Sequence, residues 1–314
     1  MSTHDATVMP DPAPEPQAGG SPTFGPAALS PARLLYWSVR RELWEHRWTY
    51  IVPLIVAALS LVGFAIAAVV LPLTQGVGSR SPAPGSLKTS FDFASGTVML
   101  AYVVITVIYC LEALHGERRD RGILFWKSLP VSDVTTVIAK ASIPIVVLPL
   151  ITFAIIVVTE TIMFLEGSAV LLGRGVSMAV LWTQTPLLPM WAASLYHLVT
   201  VHGLYYAPIY GWLLLVSAWA RRAAFLWASL PPAAILIIEH HVFNTSTFTH
   251  ILLSRLEGGP AAVAFPPPAN MTLTAPTLAN LGAFLASPGL WIGFAVCAVF
   301  LAAAIRLRRY QGPI

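Results

Sequence analysis

The amino-acid sequence predicts an all-α membrane protein with six transmembrane helices. Its 314 residues are 56% hydrophobic and only 10% charged, where a soluble domain carries about 25% charged residues. Six apolar runs approach or exceed the roughly 20 residues that cross a bilayer as a helix. The Lys and Arg side chains concentrate in alternate connections between those runs, the pattern that sets the orientation of a membrane protein.

The first thirty residues contain no Lys or Arg and are rich in Pro, Ala, Gly and Ser. They lack the basic and apolar regions of a signal peptide and the apolar content of a core, so residues 1–30 are expected to be a disordered tail. Over residues 31–47 the pattern changes. On a helix, Leu35, Val39 and Leu43 form one stripe, Trp37, Trp44 and Trp48 a second, and Arg33, Arg40 and Arg47 a third. Such a helix suits the headgroup plane, with Trp at the interface and Arg toward anionic lipid; the alternative is a plain extension of the first span.

The six apolar runs cover residues 50–73, 96–114, 138–165, 191–219, 223–238 and 290–305. The fifth is the shortest and contains Pro231-Pro232, so a kink or break is expected there. Between the fifth and sixth, residues 242–287 are longer than a simple connection needs and end in the helix-like "TLANLGAFLAS". Cys110 and Cys297 both fall inside predicted spans, which points to free, small apolar side chains rather than a disulfide framework.

Of the 18 cations, one side of the membrane holds Arg33, Arg40, Arg41, Arg47, Arg118, Arg119, Arg121, Lys127, Lys140, Arg221, Arg222, Arg306, Arg308 and Arg309. The other holds only Arg80, Lys88, Arg174 and Arg255. By the positive-inside rule the first side is cytoplasmic, and with six spans both termini lie there. The basic balance is accounted for by these loops and implies no nucleic-acid partner.

The segment "ERRDRGILFWKSLPVSDVTTVIAK", residues 117–140, connects the second and third spans on that basic side. Glu117 and Arg121 stand at the i, i+4 spacing of a helical ion pair. Ile123, Leu124, Phe125 and Trp126 then place four apolar residues in a row, and Pro130 stops the element. Ser132 or Asp133 can cap the helix that follows. An apolar centre with a basic rim and fixed ends is a good docking element for another protein, although aromatics at a membrane boundary also dip into lipid.

A second group of ionisable residues lies in or beside the spans: Glu160, His197, His202, Glu239, His240 and His241. Counting 1.5 Å per helical residue places them near the outer interface, His202 deepest. Imidazole and carboxylate could bind Zn or Cu, line a polar translocation vestibule, or serve only as packing. His197 and His202 are five apart, off the i, i+4 spacing that puts two ligands on one face of an α-helix, and no H-E-x-x-H motif occurs.

The loop sequence at 117–140, in a six-span chain with cytoplasmic termini, resembles the permease subunits of ABC-2 type transporters over roughly residues 31–312. That resemblance implies an amphipathic elbow helix at 31–47, a short cytoplasmic coupling helix within 117–130, and an external helical segment at 242–287. It also implies a second permease chain, identical or paralogous, and two copies of an ATPase subunit that dock on Glu117, Arg118, Arg119, Asp120, Phe125, Trp126, Lys127 and Leu129. No G-x-x-x-x-G-K-[ST] phosphate loop occurs in the sequence, so ATP and Mg belong to the partner and this chain binds no cofactor and has no enzyme activity of its own. The implied setting is the bacterial inner membrane, among membrane lipid, with the chain expected to export its substrate. The rival expectation is an intramembrane metal- or haem-binding protein or enzyme built on the Glu and His group; a passive anchor is a third.

Overall fold

The structure is a computed structural model that describes residues 30–74, 86–120, 131–175, 177–258 and 278–310. Every regular element among them is helical. The tail at 1–29, residues 259–277 of the external segment, and residues 121–130 of the basic loop fall outside the described residues, and with them Phe125, Trp126, Lys127 and Leu129.

Helix α1 spans Pro31–Glu45, begun by Pro31 in the first turn, where a missing N–H costs nothing. A turn at His46 and Arg47 separates it from α2, Trp48–Thr74. The amphipathic segment is therefore a helix of its own and not an extension of the first span. Its stripes hold in part: Val39 and Leu43 pack on the core and Trp37, Trp44, Arg33, Arg40 and Arg47 are exposed, but Trp48 turns from the Trp stripe to pack on the core. Arg40 sits over the Trp37 and Trp44 rings at 5.2 and 5.4 Å.

Helix α3, Ser86–Glu112, turns at Ala113 and Leu114 into the short α4, His115–Arg119. Beyond the loop, α5 (Asp133–Ser142), a π-helical segment (π1, Ile143–Val147) and α6 (Leu148–Gly173) run on as one long element. Ser132 caps it, its hydroxyl accepting from Thr135 N, which settles the choice between Ser132 and Asp133. Pro144 lacks an N–H, and the ladder slips to i→i+5 bonding there, with Leu148 N donating to Ile143 O. After α7 (Ala179–Gln184) come α8 (Leu187–His197), a second π-helix (π2, Leu198–Tyr205) and α9 (Ala207–Trp219). The chain bends by 49° between Tyr205 and Ala207, where Pro208 removes a backbone donor.

Helix α10, Ala224–His241, continues through Pro231 and Pro232 as a single helix, so the expected break is not there. Helices α11 (Thr247–Leu256) and α12 (Leu278–Ala286) follow, and α13 (Pro288–Tyr310) ends the described chain. The helical pattern read in 277–287 is thus α12.

Among the described residues, four elements are long and apolar enough to cross a membrane, Trp48–Ala68, Leu87–Arg119, Asp133–Gly173 and Pro288–Tyr310, and a fifth is made if the bent Leu181–Tyr205 and Ala207–Trp219 pair counts as one span. This is an integral membrane protein. Helix α10, with two interior prolines and Glu239, His240 and His241 in its last turn, falls short of that standard.

Helix α3 packs on α6 and α9, α2 lies against α3 and α6, and α13 lies along α9. The outward surfaces of α2 and α3 show Leu54, Leu59, Val62, Phe93, Leu100 and Val104, side chains that gain by facing lipid. At Gly211 a Cβ would stand 3.3 Å from the Cys297 backbone, so the small residue lets α9 and α13 close together. Both cysteines are free and buried. Gly203 does the same between the π-helices, where a Cβ would meet Ile145 O at 2.8 Å.

Candidate functional site

Six elements converge at the basic end of the bundle. Glu42 on α1 is 1% exposed and Lys140 on α5 is completely buried. Their side chains meet at 2.8 Å, and Lys140 Nζ also reaches Glu117 Oε1 of α4 at 3.0 Å. Arg308, near the end of α13, bonds Glu117 with one guanidinium nitrogen and Asp133 with another, the latter at 3.1 Å. Arg41 closes the group with contacts of 3.1 Å to Glu42 and 3.8 Å to Glu117. The Tyr109 hydroxyl of α3 donates to Glu42 Oε2 at 3.2 Å. Three carboxylates (Glu42, Glu117 and Asp133) face three cations (Arg41, Lys140 and Arg308), so the network is balanced.

Burial alone would push the Glu42 carboxyl up, but the charge and hydrogen bond of Lys140, then Arg41 and His46, hold it below the usual carboxylate range. Glu45, at the rim, is pushed up by partial burial and by the Glu42 charge. Losing one partner of a buried pair costs roughly 3–5 kcal/mol because the other charge stays behind unpaired.

Helix α9 anchors the same end. The Ser217 hydroxyl accepts from Leu114 N at 3.0 Å and His115 N at 2.9 Å and donates to Leu111 O at 2.8 Å, satisfying backbone groups that the α3–α4 corner leaves open. Arg118 donates to Ala218 O at 2.6 Å and is buried. Of the four loop residues that the structure describes, Glu117 and Arg118 therefore point inward. Arg119 and Asp120 stay at the surface, paired with each other at 3.0 Å. Glu117 takes its partners from α1, α5 and α13, and Arg121 lies outside the described residues. Beside the network, a groove of about 560 Å³ opens between the start of α5 and the end of α13, with Ser132, Asp133, Arg306 and Arg309 among its walls.

The other group of predicted residues divides by partner. Glu239 accepts from Phe248 N at 2.7 Å and from Thr249 N at 3.0 Å, capping the N-terminus of α11. His240 and His241 are exposed, their rings 5.0 Å apart. Glu160 is fully buried on α6, with Asp92 and Ser95 of α3 and Trp191 of α8 as its polar neighbours.

The expectation for His197 and His202 is overturned. Their rings stand 4.9 Å apart, edge to face, because π2 lies between them and π-helical bonding carries residues five apart onto one face. His202 also lies against Tyr102 at 5.3 Å and Tyr206 at 5.1 Å. The Tyr210 hydroxyl donates to His202 O at 2.8 Å, and that of Tyr102 to Pro144 O at 3.0 Å. Among the described residues, the one group of three acidic, His or Cys side chains close enough to share a metal ion is Glu42, Glu45 and His46, at the basic end and already engaged in ion pairs.

Sequence reasoning did not single out Glu42, Lys140, Asp133, Arg308 or Asp92 as site residues. Glu42 had a signal, since it lies in register with the apolar stripe of α1, and Lys140 had one, standing alone in the apolar run that opens the third span. Asp92 was hidden because the apolar run begins at Gly96, whereas α3 starts at Ser86 and draws Lys88 and Asp92 into the helix.

No family profile matches the sequence, and no curated protein and no solved structure matches the chain.

Proposed function

We propose that this chain is the permease subunit of an ABC-2 type, ATP-driven transporter, an exporter that takes its energy from a separate ATPase through the loop between α4 and α5. The observation that carries the proposal is the double grip of Arg308. One side chain from the last helix holds Glu117 before the loop and Asp133 after it, and Lys140 ties the same Glu117 to α1 through Glu42. Force delivered to the loop therefore reaches α1, α3, α5 and α13 together, which is what a stiff link between a docking surface and tilting helices requires.

On this reading α10 is the sixth span, both termini are cytoplasmic, the membrane is the bacterial inner membrane, and a second permease chain completes the pathway. Glu117 and Arg118 act as anchors. Arg119 and Asp120, with Phe125, Trp126, Lys127 and Leu129, form the docking surface.

The test begins with affinity purification from the native membrane, where an ATPase bearing a phosphate loop is expected to accompany the chain in equal amount. Replacing Phe125 and Trp126 by Ala in that complex should leave ATPase activity in place and lower transport at least tenfold. Transport by the purified chain with no ATPase present would overturn the proposal, as would a haem or metal cofactor bound to the His197–His202 pair in the purified protein.

A further inference from the structure

Away from the basic end, α3, α6 and α8 enclose a polar seam with the opposite character. Glu160 is 0% exposed; its carboxyl oxygens have no closely aligned hydrogen bond, and the Trp191 indole and Ser95 hydroxyl are the polar donors beside them. Asp92 is 4% exposed with Oδ1 unpartnered, and it lies near enough for its charge to act on Glu160. On α8, Trp191 Nε1 stands beside Glu160, and the completely buried Ser194 Oγ, three residues on along the same helical face, has no closely aligned partner. Ser95 is close but its hydroxyl is committed to Phe91 O and Asp92 O.

Among the described residues, no counter-cation pairs with Glu160. Lys88 acts on Asp92 from one turn away on α3. Arg174 is fourteen residues beyond Glu160, about 21 Å along the helix, and donates to Ala68 O. Helix α2, packed on α3 and α6, has Tyr50 as its one ionisable side chain, and α7 has none. His197 and His202 continue the α8 line and face each other.

An ionised carboxylate sealed from water without a cation is uncompensated, and such a group inside a membrane is a functional candidate by default. A metal ion needs several ligands, and the described residues gather three only around Glu42. The occupant that neutralises Glu160 without needing further ligands is a proton.

We propose that Glu160 is a proton-binding site of the membrane interior. A proton adds to one carboxylate oxygen and leaves from it, no other bond is made or broken, Asp92 sets the local charge balance, and Trp191 and Ser194 offer donors to the ionised form. The inference rests on the membrane fold and not on the ATPase reading.

A hydrophobic carbodiimide tests it, since that reagent adds to protonated carboxyls in apolar surroundings. The purified, detergent-solubilised chain is labelled across a pH series and the adduct located by peptide mass. One adduct is expected on Glu160, forming about tenfold more slowly for each pH unit above its midpoint and absent from Glu160→Gln. Asp92→Asn should move the midpoint to lower pH, because a neighbouring negative charge is gone. No adduct at Glu160 at any pH in monodisperse protein, a rate indifferent to pH, or modification at Glu166 instead would overturn the proposal. None of these results depends on an ATPase being present.

Discussion

The two polar regions of this bundle are opposites. At the basic end each buried carboxylate has a cation within hydrogen-bonding reach, and the side chains come from α1, α3, α4, α5 and α13. In the seam of α3, α6 and α8, two buried acids lie close enough for one charge to act on the other, with only neutral donors beside Glu160. The first arrangement uses charge to hold helices in one relative position. The second holds an acid whose ionised form has no cation among the described residues to offset it, a cost to stability of the kind functional sites commonly carry.

Removing a side chain from each region should separate them. Lys140→Met leaves Glu42 and Glu117 short of a cation and is expected to destabilise the protein by about 3–5 kcal/mol, whereas Glu42→Leu with Lys140→Met should recover much of that loss. Glu160→Gln, which removes an uncompensated charge, should be neutral or stabilising. Thermal unfolding of the detergent-solubilised variants checks all three, and equal losses from Lys140→Met and Glu160→Gln would erase the distinction.

Acid should act on the basic end in a defined direction. Because the Glu42 carboxyl is held below its ordinary range in the folded protein, the unfolded chain takes up its proton first. The stability that Glu42 contributes is complete above the ordinary Glu range and is lost as pH falls through the lower folded value. Melting temperature against pH should show that acid limb in the native protein and a shallower one in Glu42→Gln.

The smallest effect is local. Arg308→Lys keeps the charge but loses the planar fork that spans Glu117 and Asp133. Backbone amides of His115–Arg119 and of the first turn of α5 should then exchange with deuterium several-fold faster, with little change in α8. Faster exchange in α8 as well would mean that Arg308 supports the whole bundle and not the loop ends in particular.

What could be read in advance follows from the range of each interaction. The six apolar runs fall on helices of the structure, apart from Ala113 and Leu114 at the α3–α4 turn, Tyr206 at the bend and Ala223 before α10, since hydropathy over a window of about 20 residues is a local property. A cap at Ser132 or Asp133 and an amphipathic stretch at 31–47 were legible for the same reason, while the structure chose Ser132 and set α1 apart from the first span. Charged residues misled where they ended an apolar run, so Asp92 read as part of an external loop. The spacing of His197 and His202 misled because it was judged on α-helical geometry, while close backbone packing of π2 on π1 at Gly203 goes with a different helix.

The amino-acid sequence by itself determined that the chain is helical, that it lives in a membrane, and that its cations gather on alternate connections, because propensity, hydropathy and charge counts need no knowledge of partners. Only the tertiary structure decided which of those charges are paired. Glu42 and Lys140 are 98 residues apart, and Glu117 and Arg308 are 191 apart. Whether a buried acid is a brace or a proton site depends on a cation several ångströms away in space, a distance that hydropathy and spacing along the chain do not contain.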